Sequence, residues 1–107
     1  MKFIDNPNDI PNSQPSIFLF DKMGKKVMSQ REKSYAKKIT NTSSDTYYII
    51  THEGVPYDPW GMHSHRENYI DAKFKRVSKK TFDFYMMFLQ TKNSLYMTRA
   101  QRSFIND

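Results

Sequence analysis

The feature that most constrains the fold is a strand, turn and strand unit between residues 46 and 58. Thr46-Tyr47-Tyr48-Ile49-Ile50-Thr51 is a dense run of β-branched and aromatic side chains, the types that pack well on a pleated, half-buried surface. His52-Glu53-Gly54 follows as a tight turn, and Val55-Pro56-Tyr57-Asp58 is expected to return as a short antiparallel strand. Pro56 lacks a backbone N–H and restricts that strand to an edge or a strand end. The chain must therefore contain a sheet.

Composition limits how large that sheet's core can be. At 107 residues there is room for one small domain, and only 37% of residues are hydrophobic while 15% are aromatic. Phe, Tyr and Met must carry much of the burial. Residues 1–16, with Pro7, Pro11 and Pro15 among Asn, Asp and Ser, are expected to form a flexible arm, leaving 17–107 as a single domain. Ile17-Phe18-Leu19-Phe20 is a short buried run, either a strand or a hydrophobic plug. Zero cysteines exclude disulfides and thiolate metal sites. No apolar run approaches membrane-spanning length, so a soluble, cytoplasmic protein with no membrane contact is expected. The net charge of +6 favours an anionic partner, nucleic acid first and an acidic protein surface second.

Other elements follow from periodicity. Residues 25–39 place Met28, Glu32, Tyr35, Ala36 and Ile39 on one helical stripe, with Lys33, Lys37 and Lys38 on the solvated side. Glu32 on that stripe is either a functional carboxylate or the N3 partner of Ser29 in a capping box. Residues 68–77 read as a third strand, in which alternation would put Asp71 and Lys73 on one face and Ile70, Ala72 and Phe74 on the other. Ser78 is a good N-cap for a helix burying Phe82, Tyr85, Met86 and Leu89, with Val77 placed to staple onto Phe82. Thr91 to Ser94 reads as a break, and 94–100 as a last strand in preference to a second helix. The fold class expected is α/β (α+β), a mixed three- to four-stranded sheet flanked by two helices.

Three constellations could carry chemistry. The first is Asp58 with Asp71-Ala72-Lys73: two carboxylates and a lysine at one end of a sheet suit Mg²⁺-assisted attack on a phosphate. The second is His63-Ser64-His65 with Glu67, which in an extended segment could hold Zn²⁺ or Mn²⁺, with His52 as a further ligand, or could touch phosphates. The third is the basic cluster Lys73, Lys75, Arg76, Lys79 and Lys80 around a helix N-terminus, either an anion site or a solvated charge run. Tyr47, Tyr48, Tyr57 and Trp60 could stack bases or fill the core.

In element order, and in Asp58 followed by Asp71-Ala72-Lys73 with Glu32 upstream, the chain resembles a minimal PD-(D/E)xK nuclease, a restriction-endonuclease-like core. Tyr57 stands where that family usually has proline before the first acid, and no Gln lies four residues before Tyr85. The resemblance implies a metal-dependent nuclease hydrolysing phosphodiester bonds, in DNA first. Asp58, Asp71 and the Ala72 carbonyl would hold Mg²⁺ (or Mn²⁺), Lys73 would orient the attacking water, and Glu32 would assist. His63, His65, Arg66, Lys75, Arg76, Lys79 and Lys80 would contact nucleic acid, and a homodimer would supply the surface a small chain lacks. The alternative is a non-enzymatic basic accessory protein, such as a viral structural or host-takeover factor, that binds nucleic acid or protein.

Overall fold

The computed structural model describes residues 16–29, 33–41, 44–61 and 69–107. They form an α+β fold: an open antiparallel sheet of five strands with two helices packed on one face. The strands are β1 (Ser16–Phe20), β2 (Ala36–Thr40), β3 (Asp45–His52), β4 (Val55–Pro56) and β5 (Lys73–Val77), followed by α1 (Lys79–Thr91) and α2 (Ser94–Ile105). The proposed arm lies almost wholly outside the described residues.

β3 is the spine. Ile49 pairs Ala36 of β2 on one edge and Lys75 of β5 on the other. Thr51 pairs Pro56 of β4 on the β2 edge and Lys73 of β5 opposite. β2 and β4 therefore follow one another along a single edge of β3, and β1 extends the sheet beyond β2. Every pairing is antiparallel, so the expected mixed sheet is corrected. The β3–β4 hairpin closes through Glu53 (φ 53°) and Gly54 (φ 80°), two successive positive-φ residues whose twist matches that of the flanking strands.

The helical expectation for 25–39 is overturned where the chain is described. After β1 the chain makes a tight turn in which Asp21 Oδ1 accepts from Met23 N (2.8 Å) and Lys25 N (2.9 Å). Met28 is 88% exposed, which breaks the supposed stripe, and Ala36–Thr40 is a strand between β1 and β3. Non-local pairing on both edges outweighs the modest helix propensity of Ala-Lys-Lys-Ile. Gly24 in this turn has φ +77°, and a Cβ there would lie 2.5 Å from Gln90 Cγ of α1. Gly24→Ala is expected to cost about 1–2 kcal/mol, mostly from the left-handed backbone. Thermal unfolding of Gly24→Ala and of Gly24→Ala/Gln90→Ala checks this: the second change should recover only the minor, contact part.

Helix α1 follows the sequence expectation. Ser78 is its N-cap, its hydroxyl accepting from Thr81 N, and Thr81, Phe82, Tyr85, Phe88 and Leu89 form the buried face. Phe82 meets Phe20 of β1 and Tyr47 of β3 at ring-centroid distances of 6.1 and 4.9 Å. The Asp107 carboxylate accepts from Ser78 N (3.0 Å) and the Thr81 hydroxyl (2.7 Å), placing a negative charge at the helix's positive end. Burial raises the pKa of Asp107, but those hydrogen bonds outweigh it and hold the carboxyl below its ordinary value.

Residues 94–105 are helical, which corrects the strand expected there. The apparent break is a two-residue helix–helix connection. Lys92 takes the left-handed conformation (φ 61°), its N–H bonding Phe88 O, and Asn93 caps α2 by accepting from Leu95 N. Met97 and Ala100 then bury against the rest of the core. Among the described residues no helix is long and apolar enough to cross a membrane.

Candidate functional site

The two carboxylates of the expected metal site are carried by segments that adjoin strands on opposite edges of β3. Pro56 and Lys73 pair Thr51 from opposite edges, so their backbones stand two strand spacings, about 10 Å, apart. β4 and β5 run in the same direction, both antiparallel to β3; Asp58 follows the first and Asp71 precedes the second.

Asp58 has a structural partner instead: its Oδ1 accepts from Trp60 N at 2.8 Å, closing the turn after β4. Asp71 is not on a strand. It is exposed, in the turn after Tyr69–Ile70, where Ala72 N bonds Tyr69 O at 3.0 Å. Strand alternation therefore does not set the face of Asp71 relative to Lys73. Glu32, His63, His65, Arg66 and Glu67 lie outside the described residues. Among the described residues no three His, Asp or Glu side chains converge on a point that could hold a metal.

The turn at Asp71 has a physical cause. The Tyr69 hydroxyl donates to Ser34 O (2.9 Å) and accepts from Ser34 N (3.1 Å), satisfying both backbone groups of a residue from which it is 35 positions distant. Its ring lies 5.0 Å from Tyr35 and 6.2 Å from Tyr57, so the chain crosses toward the β2–β4 edge before it enters β5. Burial first, then the neighbouring Tyr57 and Tyr69 rings, push the Tyr35 phenol up to about 12.

The folded state thus binds Tyr35's proton more tightly than the unfolded chain. That stabilisation is complete below pH 10, declines as pH rises from about 10, and is gone by about 12. Unfolding midpoints measured between pH 8 and 11.5 should fall above pH 10, and less steeply in Tyr35→Phe.

Alternation sorts the sheet's side chains between its faces. Tyr47, Ile49 and Thr51 of β3, with Ala36 and Phe20, face the helices. Tyr48 and Ile50 face away, joined by Leu19 of β1, Lys37 of β2 and Phe74 and Arg76 of β5 through the pairings Leu19–Lys37, Lys37–Tyr48, Ile50–Phe74 and Tyr48–Arg76. Neither α1 nor α2 packs on this second face, and the helical residues Tyr69 and Ile70 adjoin its Ile50 end. Tyr35, Tyr57 and Tyr69 cluster at its Ile50 end. Further along, the Lys37 ammonium sits 4.8 Å from the Tyr48 ring centre and 5.0 Å from that of Phe74. Tyr48, Phe74 and Lys37 are half-buried, and Arg76 beside them is exposed.

The other basic residues divide in the same way. Lys75 is exposed on the edge strand β5, where lysines guard against edge pairing. Lys79 is tied to Asp83 at 2.6 Å and Lys38 approaches Asp45 at 4.0 Å. No ion pair among the described residues involves Lys37, Arg76 or Lys80. Sequence reasoning named Arg76 and Tyr48 but assigned Lys37 to a solvated helix face and left Phe74 to the core. A strand assignment for 36–40 would have been needed to bring the two together.

Trp60, also named as a stacking candidate, is half-buried between the Lys22 and Lys92 ammonium groups, at 5.0 and 4.2 Å from its ring. Comparisons with protein families, with curated proteins and with solved structures find no match to this chain.

Proposed function

We propose that this protein binds single-stranded nucleic acid on the face of its sheet turned away from α1 and α2. The observation that carries this reading is the Lys37 ammonium lying across Tyr48 and Phe74, with Arg76 alongside. Two ring faces, with cations that form no ion pair among the described residues, match the two parts of a single strand, its bases and its phosphates. A base that stacked on Tyr48 or Phe74 would shift Lys37 from its present seat, at a cost of about 0.5–1 kcal/mol for an exposed cation–ring contact. Base stacking returns about 1–3 kcal/mol, so the exchange favours the base, and the released ammonium stays within reach of the backbone. The overall charge of +6 adds attraction at long range. The hydrolytic reading rests on Asp58, Asp71 and Lys73, and no group of three metal-ligating side chains among the described residues adds support to it.

Anisotropy titrations of labelled single-stranded and duplex oligonucleotides of one sequence, at several salt concentrations, test the reading. Single strands should bind more tightly, and log K should fall with log salt by about 0.7 for each phosphate neutralised. Lys37→Gln/Arg76→Gln should lower that slope by about 1.4. Equal binding of both forms, or an unchanged slope in the variant, would sink the proposal. Incubation of the same oligonucleotides with Mg²⁺ or Mn²⁺ separates the readings: shortening that disappears in Asp71→Ala would restore the hydrolytic one.

A further inference from the structure

On the opposite side of the molecule, α1 and α2 form an outer cleft of about 220 Å³ lined by Lys80, Phe84, Arg99, Arg102, Ser103 and Asn106. Its three charges are all positive and exposed, and no carboxylate lines it. Asp107, next in the chain, is turned instead onto Ser78 and Thr81. The ion pairs among the described residues, Lys38–Asp45 and Lys79–Asp83, lie elsewhere.

Lys80 is placed against local preference. It sits in the first turn of α1, where no acidic residue is present and the helix dipole disfavours cations. Its neighbour Lys79 is compensated by Asp83, and among the described residues Lys80 has no such partner. Arg99 and Arg102, one turn apart on α2, converge on the same cleft from the other side. Three like charges held together with no internal counter-charge gain from an outside anion, and guanidinium forks fit phosphate oxygens in pairs.

The cleft is also close in the chain to the sheet face, across a corner lined by Arg76, Val77, Ser78 and Asp107. Arg76 ends that face on β5 and Lys80 begins the cleft, four residues later, so at most about 14 Å of chain separates them. We infer that the α1–α2 cleft is a second phosphate site, gripping the backbone of the same strand after it leaves the sheet at Arg76. This rests on the reading of the sheet face as a single-strand platform, and it predicts a footprint that wraps around the β5–α1 corner.

Two oligothymidylates, of about 4 and about 16 nucleotides, span the site sizes of small stacking domains. Wild-type protein should bind the longer one with a salt slope steeper by about 2, three contacts at about 0.7 each. Lys80→Gln/Arg99→Gln/Arg102→Gln, all exposed changes, should match wild type on the short oligonucleotide and lose the extra slope on the long one. A variant that keeps wild-type affinity and slope for the long oligonucleotide overturns the inference.

Inorganic triphosphate gives a readout independent of base stacking. It should raise the Tm of wild type but not of the triple variant, and an equal rise in both also overturns the inference. Failure of the sheet-face reading looks different: binding of neither length would depend on Tyr48 or Phe74, while the triphosphate difference would persist.

Discussion

Tyr85→Ala is expected to remove a large part of the protein's stability. Tyr85 is fully buried at 0% exposure, its ring 6.3 Å from Phe88. Its hydroxyl donates to Tyr57 O at 2.6 Å, which ties the middle of α1 to the chain leaving β4. Truncating a buried aromatic costs about 3–5 kcal/mol. A domain of this size has roughly 5–15 kcal/mol in total, and this core draws on few aliphatic side chains. Tyr85→Phe keeps the ring and loses only the hydrogen bond, for about 1–2 kcal/mol. In urea unfolding, the midpoint should drop modestly for Phe and more than twice as far for Ala. Equal losses for the two would show that the hydroxyl, rather than the ring, dominates. Burial holds the Tyr85 phenol well above its ordinary pKa, so it remains a donor across the neutral range.

The contrast between what was and was not legible follows the range of the forces involved. Strand β3, the Glu53-Gly54 turn and the Ser78 cap are local statements: side-chain shape, a positive φ, and one hydroxyl facing a free N–H. Each could be read from a few adjacent residues. β2 could not, because Ala36-Lys37-Lys38-Ile39-Thr40 has no strong local preference and is a strand only because β1 and β3 flank it. Its lysines looked like a solvated helix face, yet Lys37 lies over Tyr48 and Phe74 and Lys38 over Tyr47. Lysine stems cover apolar rings while the ammonium stays at the surface, a use that charge patterning alone does not reveal.

The same limit explains the candidate site. Asp71 and Lys73 looked like one face of a strand, but the strand begins at Lys73 because Tyr69 is drawn to Ser34, a contact 35 positions away in the chain. Asn93, by contrast, was a local signal available to a sequence reader. An Asn just after a helical run can begin a second helix as readily as it ends the first.

The largest expected effect on binding comes from removing ring faces while keeping apolar volume. Tyr48→Leu and Phe74→Leu preserve a hydrophobic cover near Ile50, which is 3% exposed, so each should fold with a loss of about 1–1.5 kcal/mol or less. Neither leucine offers a π surface to a base. If each ring stacks one base, each substitution should weaken single-strand binding by about 1–3 kcal/mol, a factor of roughly 5 to 150.

The salt slope should stay near the wild-type value, because no phosphate contact is lost. Lys37→Gln/Arg76→Gln should show the reverse, a reduced slope with stacking intact. That double dissociation separates a stacking platform from a merely basic surface, on which the leucine variants would bind as wild type does. Tryptophan at position 74 supplies a converse check, since its larger face should hold or tighten binding where leucine loosens it.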